Sequence, residues 1–91
     1  IFNELRYIEA LGDYVKLVTE HDALVVLSTM KAFEALLPDD RFMRIHKSYI
    51  VNLDKVERYN SKVIELDNQQ LPLSRNRKSD LVEALSASMK S

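Results

Sequence analysis

Ninety-one residues, 46% hydrophobic and 30% charged, suit one compact domain over 1–91 with a modest core, and leave little room for a second. No apolar run approaches the roughly 20 residues of a spanning helix, and Ile1-Phe2-Asn3-Glu4-Leu5 lacks the basic and apolar regions of a signal peptide, so a cytoplasmic chain with no membrane attachment is expected. The absence of cysteine excludes disulfide frameworks, thiolate zinc sites and thiol nucleophiles, and with His21 and His46 far apart no metal or other cofactor is expected.

The predicted elements begin with strands. Leu5-Arg6-Tyr7-Ile8, Tyr14 to Thr19 and Ala23 to Leu27 have strand-like patterning, with Gly12-Asp13 and Glu20-His21-Asp22 as turns between them, which describes an antiparallel meander. Ser28 and Thr29 can cap a short amphipathic helix, Met30 to Leu37, whose Met30, Phe33, Leu36 and Leu37 share one face before Pro38 ends it. Phe42 to Leu53 mixes apolar and basic residues, and Tyr49-Ile50-Val51 has strong β preference. Val56 to Tyr59 and Lys62 to Leu66 continue as strands, and Asp67-Asn68 turns the chain into Gln70 to Leu73, where Pro72 belongs on an edge or at a strand end. Ser74 is a good N-cap for a final helix with Leu81, Val82, Leu85 and Met89 as its buried stripe.

Charge is segregated along the chain. Residues 1–40 carry three basic and eight acidic side chains, a net of −5, whereas residues 41–78 carry nine basic and four acidic, a net of +5. Arg44, Lys47, Arg75, Arg77 and Lys78 on one surface would attract a polyanion; the alternative is that they are solvated surface charges. Arg75, Arg77 and Lys78 would lie in the first turn of the last helix, where cations oppose the helix dipole unless an anion such as phosphate sits nearby.

No enzyme is expected. Ser48, His46 and a carboxylate could be drawn together on paper, but there is no Gly-x-Ser-x-Gly elbow, no P-loop, no Gly-x-Gly-x-x-Gly and no His-Glu-x-x-His. The densest signal is Phe42-Met43-Arg44-Ile45-His46-Lys47-Ser48-Tyr49-Ile50-Val51-Asn52-Leu53. Here donors suited to phosphate oxygens or base edges lead directly into an apolar strand.

This segment resembles the hallmark of the LytTR family, the DNA-binding domains of bacterial response regulators. Tyr7-Ile8-Glu9-Ala10 with Gly12-Asp13-Tyr14-Val15, Leu27 to Leu37 with Pro38, and Leu71-Pro72-Leu73-Ser74-Arg75 resemble other parts of the family pattern, in order, over essentially the whole chain. There are two departures. The family usually carries an additional edge strand before the position of Ile1, and Asn76-Arg77 stand where an aromatic residue often follows the Ser-Arg pair.

The resemblance implies a mainly β fold with two short α-helices, in an elongated antiparallel β-sheet arrangement that reads DNA with loops. It implies base contacts from Arg75, Lys47, Asp13 and Tyr14, and backbone contacts from Arg44, His46, Ser48, Lys31 and Arg77. Asp13 is otherwise a plain turn residue, and His46 otherwise a buried structural hydrogen-bonder. Asn52 is expected to satisfy backbone groups at a strand end, and Tyr7, Ile8, Phe33, Phe42, Tyr49, Ile50 and Val51 to form core. The implied partners are double-stranded DNA with paired half-sites, an N-terminal receiver domain and a second copy of the chain on DNA. The competing function is a protein-interaction or ligand-sensing β domain whose basic half is only a solvated face.

Overall fold

The computed structural model describes residues 4–89, excepting the side chains of Ser88 and Met89. The strands are β1 (Leu5–Leu11), β2 (Tyr14–Thr19), β3 (Ala23–Leu27), β4 (Phe42–His46), β5 (Tyr49–Asn52), β6 (Arg58–Tyr59), β7 (Val63–Leu66) and β8 (Gln69–Pro72), and the helices are α1 (Met30–Leu36) and α2 (Lys78–Met89). They form a five-stranded sheet in the order β3-β2-β1-β5-β4 and a three-stranded sheet in the order β6-β7-β8. Every strand pairing is antiparallel. The mainly β architecture with two helices is as expected; extents of 33 × 27 × 26 Å make its elongation slight.

Successive residues of a strand point to opposite sides, and the central strands β1 and β5 bury side chains on both, whereas the edge strand β3 is largely exposed. Ile8 and Ile50 pack with Leu5, Val15, Phe42 and the α1 residues Met30 and Phe33. Tyr7 and Val51, their neighbours in sequence, face the other way and join Ile45, Leu53, Ile64, Leu66, Leu71, Leu73 and Leu81. Each fully buried aliphatic side chain contributes about 1.5–3 kcal/mol. Phe33 and Tyr49, expected in the core, are half-buried.

Turn chemistry fixes the hairpins. Gly12-Asp13 is a two-residue loop between the paired residues Leu11 and Tyr14, with Gly12 at φ 64, a first central position that favours glycine. Asp67-Asn68 joins Leu66 to Gln69 with both residues at positive φ, as Asp and Asn tolerate. Pro72 is the last residue of the edge strand β8, where its missing N–H costs no ladder bond.

Several local expectations are refined or corrected. Of the two expected caps, Thr29 is the one that caps α1, its Oγ1 accepting from the Ala32 amide at 3.1 Å. The helix ends one residue early, and the extended backbone at Leu37 turns that side chain into the core while Leu36 stays 64% exposed. Strand β6 covers only Arg58–Tyr59, two residues short of the expected Val56 to Tyr59; Val56 instead closes a 3-10 turn, Leu53–Lys55, that the Asn52 side chain caps. Arg75–Arg77 form another 3-10 turn ahead of α2, so neither arginine is in the first turn of that helix, and Ser74 makes no side-chain capping bond. The α2 stripe is Leu81, Ala84 and Leu85, with Val82 exposed; the Met89 side chain, expected within it, lies outside the described residues.

Candidate nucleic-acid interface

Two backbone hydrogen bonds bring the expected contact segments together. The Ala10 amide donates to the Ser48 carbonyl at 2.9 Å, which places the Gly12-Asp13-Tyr14 turn beside the β4–β5 loop. The Ser74 amide donates to the Ile45 carbonyl at 2.8 Å, which holds the Arg75–Arg77 turn against the end of β4. Segments more than sixty residues apart in sequence thus share one end of the larger sheet.

The middle segment owes its shape to a bulge. Arg44 pairs with Ile50 and His46 with Tyr49, so Ile45 is an extra residue on β4. Such a bulge bends the strand and re-aims its side chains. Here Ile45 is fully buried, and His46 comes beside Tyr49 with ring centroids 6.0 Å apart. Only Lys47 and Ser48 lie between the paired residues His46 and Tyr49, and neither has positive φ. Besides the Ala10–Ser48 backbone bond, two side chains hold this loop. His46 Nδ1 accepts from the Ser48 amide at 3.1 Å, which leaves the ring proton of the neutral imidazole on Nε2. Arg44 Nη2 donates to the Lys47 carbonyl at 2.7 Å, while Nη1 meets Glu34 of α1 at 3.2 Å.

Behind the loop, the Tyr49 hydroxyl donates to Glu9 at 3.1 Å and the Tyr7 hydroxyl donates to Gln69 at 2.8 Å, with the two rings 6.2 Å apart. Burial pushes the Tyr49 phenol above its ordinary value, reinforced by its bond to Glu9 and by the charges of Glu9 and Tyr7. The Tyr7 phenol is raised mainly by burial, with the Glu9 charge adding to it. Of the two rings, Tyr49 is the one beside His46, and both pack into the same core.

The expected contact residues divide by what else they do. Asp13, Tyr14, Lys47, Arg75 and Lys31 are exposed, and the Lys47 and Arg75 side chains have no polar partner among the described residues. Arg77 is exposed and lies 4.0 Å from Asp80, so a carboxylate already sits near one cation at the start of α2. His46, Ser48 and Arg44 are half-buried, and all three take part in the loop's own bonds, Ser48 through its amide. Arg44 and Arg77 line one shallow groove with Glu34 and Asp39. Glu34, which no sequence pattern singled out, reaches Arg44 from ten positions away on a different element, and no local signal could have linked the two.

Asn52 is fully buried and donates to the Leu5 carbonyl at 2.8 Å while accepting from the Asp54 amide at 3.0 Å, which is the backbone role expected of it. Among the described residues, no group of three or more His, Cys, Asp or Glu side chains could hold a metal ion, and no helix is long and apolar enough to cross a membrane.

Residues 1–86 match the family profile of the LytTr DNA-binding domain. An uncharacterized response regulatory protein of Vibrio cholerae serotype O1 is 33% identical over 82 residues, covering 80% of this chain and 31% of that protein. The chain therefore spans about a third of the length of the curated relative it matches. A solved structure from Bacillus cereus, described as the LytTr DNA-binding domain of a methyl-accepting/DNA response regulator, is similar with a TM-score of 0.81 and 28% identity, over 92% of this chain and 83% of that one.

Proposed function

Since the chain belongs to the LytTR family of DNA-binding domains, whose members are not enzymes, we propose that it recognises specific double-stranded DNA sequences to regulate transcription and reads them with loops. The single observation that carries this reading is the grouping of the Gly12-Asp13-Tyr14 turn, the Lys47-Ser48 loop and the Arg75–Arg77 turn at one sheet end through the Ala10–Ser48 and Ser74–Ile45 bonds. Two exposed cations, Lys47 and Arg75, stand there without a polar partner among the described residues on hydrogen-bonded backbone, a combination suited to base readout.

Arg75 is assigned to a guanine, whose O6 and N7 its guanidinium fork can bond together, for about 1–3 kcal/mol of discrimination. Lys47 is assigned to a second base edge in the major groove. Asp13 would accept from a cytosine amino group, and Tyr14 would lie against the neighbouring base or sugar. Lys31, Arg77, His46 and Ser48 are assigned to phosphates, where they would fix register without reading sequence. Because the Vibrio cholerae relative is described as a response regulatory protein and is about three times longer, a receiver domain N-terminal to this one is proposed as well. Binding as a pair of copies on half-sites about one helical turn apart would follow from such control.

The test is selection from randomised double-stranded DNA with the wild type and with Arg75→Ala, at two salt concentrations. The expected result is an enriched motif that loses its preference at one position in the variant, with affinity that falls steeply as salt rises. Salt-sensitive binding without any motif would reduce the function to phosphate attraction. Absence of binding at both salts would favour the protein-interaction reading.

A further inference from the structure

We propose that Glu34 on α1 is a positioning residue of the DNA interface, acting through Arg44 on the backbone of Lys47. The inference rests on the reading of Lys47 as a base-contacting residue. A two-residue hairpin loop ordinarily relies on positive φ at one or both residues to match the twist of its strands. The Gly12-Asp13 and Asp67-Asn68 loops do so; Lys47-Ser48 does not. Its conformation depends instead on bonds from its surroundings: Ala10 and His46 hold Ser48, and Lys47 is left to a third partner.

Arg44 is that partner, with Nη2 on the Lys47 carbonyl at 2.7 Å. A guanidinium on a flexible stem gains precision only when a second acceptor fixes its plane, and the Glu34 carboxylate does this at 3.2 Å from Nη1. Glu34 stands on a helix anchored to the sheet by Met30 and Phe33. The chain of contacts therefore runs from the packed core through Glu34 and Arg44 to the residue that faces DNA. With two donors committed inside the protein and a side chain only 27% exposed, Arg44 sets the loop rather than neutralising a phosphate.

The sign of the effect separates this role from simple electrostatics. Glu34 is an anion beside a polyanion's landing surface, so charge alone requires that its removal strengthen binding to every DNA. The clamp requires the opposite for the cognate site. The experiment compares wild type, Glu34→Ala, Arg44→Lys, Arg44→Ala, Lys47→Ala and the Glu34→Ala/Arg44→Lys double variant by motif selection and by titration against the selected site and a scrambled duplex over a range of salt. Ala is a good helix former at the exposed position of Glu34, and Lys keeps the charge of Arg44 while losing the two-pronged bond.

The expected outcome is a fall of about tenfold in the ratio of specific to non-specific affinity for each variant, on the scale of one degraded base contact. It comes with preference lost at the base position that Lys47→Ala also erases and with the salt slope of Arg44→Lys unchanged. The double variant should lose little more than either single one. If Glu34→Ala binds both duplexes more tightly with its ratio intact, or Arg44→Ala lowers the salt slope by about one while Arg44→Lys restores full specificity, Arg44 is a phosphate contact and the clamp is overturned. A wild type that enriches no motif would instead overturn the DNA-reading function, and the role of Glu34 with it.

Discussion

The amide of Ser74 donates to the carbonyl of Ile45, 2.8 Å away, and this one bond joins the start of the last helical region to the bulged end of β4. Ile45 is the bulged residue of the edge strand β4 and its carbonyl accepts this bond, so an irregularity in one hairpin is where a segment 29 residues later is held. Ser74→Pro removes the donor with little strain of its own, since the native φ of −63 is already that of proline. The expected cost is about 1–3 kcal/mol in chemical denaturation, together with loss of preference at the base assigned to Arg75 but not at that assigned to Lys47. Retention of both preferences would show that the Arg75–Arg77 turn holds its place without the bond.

Asn52 bridges two parts of the backbone from a fully buried position, accepting from Asp54 and donating to Leu5. Asn52→Ala leaves a carbonyl and an amide without these partners, and the expected loss is about 2–4 kcal/mol, read from the denaturation midpoint at constant slope. Asn52→Asp should recover little of it. A carboxylate can still accept from Asp54 but cannot donate to Leu5, and it adds a buried charge. Near-native stability of the alanine variant would mean that water replaces both bonds.

Gly12 sits at φ 64 with open space where a side chain would go. Any cost of Gly12→Ala is therefore backbone strain and not a clash. About 1–2 kcal/mol is expected from the left-handed conformation forced on an L-residue. A neutral result would indicate that the Gly12-Asp13 loop relaxes to another turn type.

Tyr7 and Tyr49 hold their phenolic protons above the ordinary value of about 10, chiefly because burial opposes the phenolate. A folded value above the unfolded one means that the native state binds these protons more tightly. The stability they contribute is fully present below about pH 10 and is lost as pH rises through the folded-state values. Titration of phenolate absorbance alongside circular dichroism should show Tyr49→Phe losing a late-ionising group and unfolding at higher pH than the wild type. An unchanged alkaline transition would remove Tyr49 as its trigger.

The order of strands and helices was legible because period-2 patterning, Thr29, Gly12, Asp67-Asn68, Pro38 and Pro72 act within a few residues of where they stand. The segregation of charge into an acidic first part and a basic later part was equally plain, as was the donor-rich segment Arg44 to Ser48. What sequence could not supply was any feature set by residues far apart. The bulge at Ile45, the Glu34–Arg44 pair, the bond from Ser74 and the exposure of Leu36 depend on which surfaces meet once the two sheets and α1 are packed. Local propensity is a property of neighbouring atoms and survives in the one-dimensional string. The gathering of Asp13, Lys47 and Arg75 at one end of a sheet was decided only when burial of Tyr7, Val51 and Leu81 on one face, and of Ile8 and Phe42 on the other, fixed the chain in three dimensions.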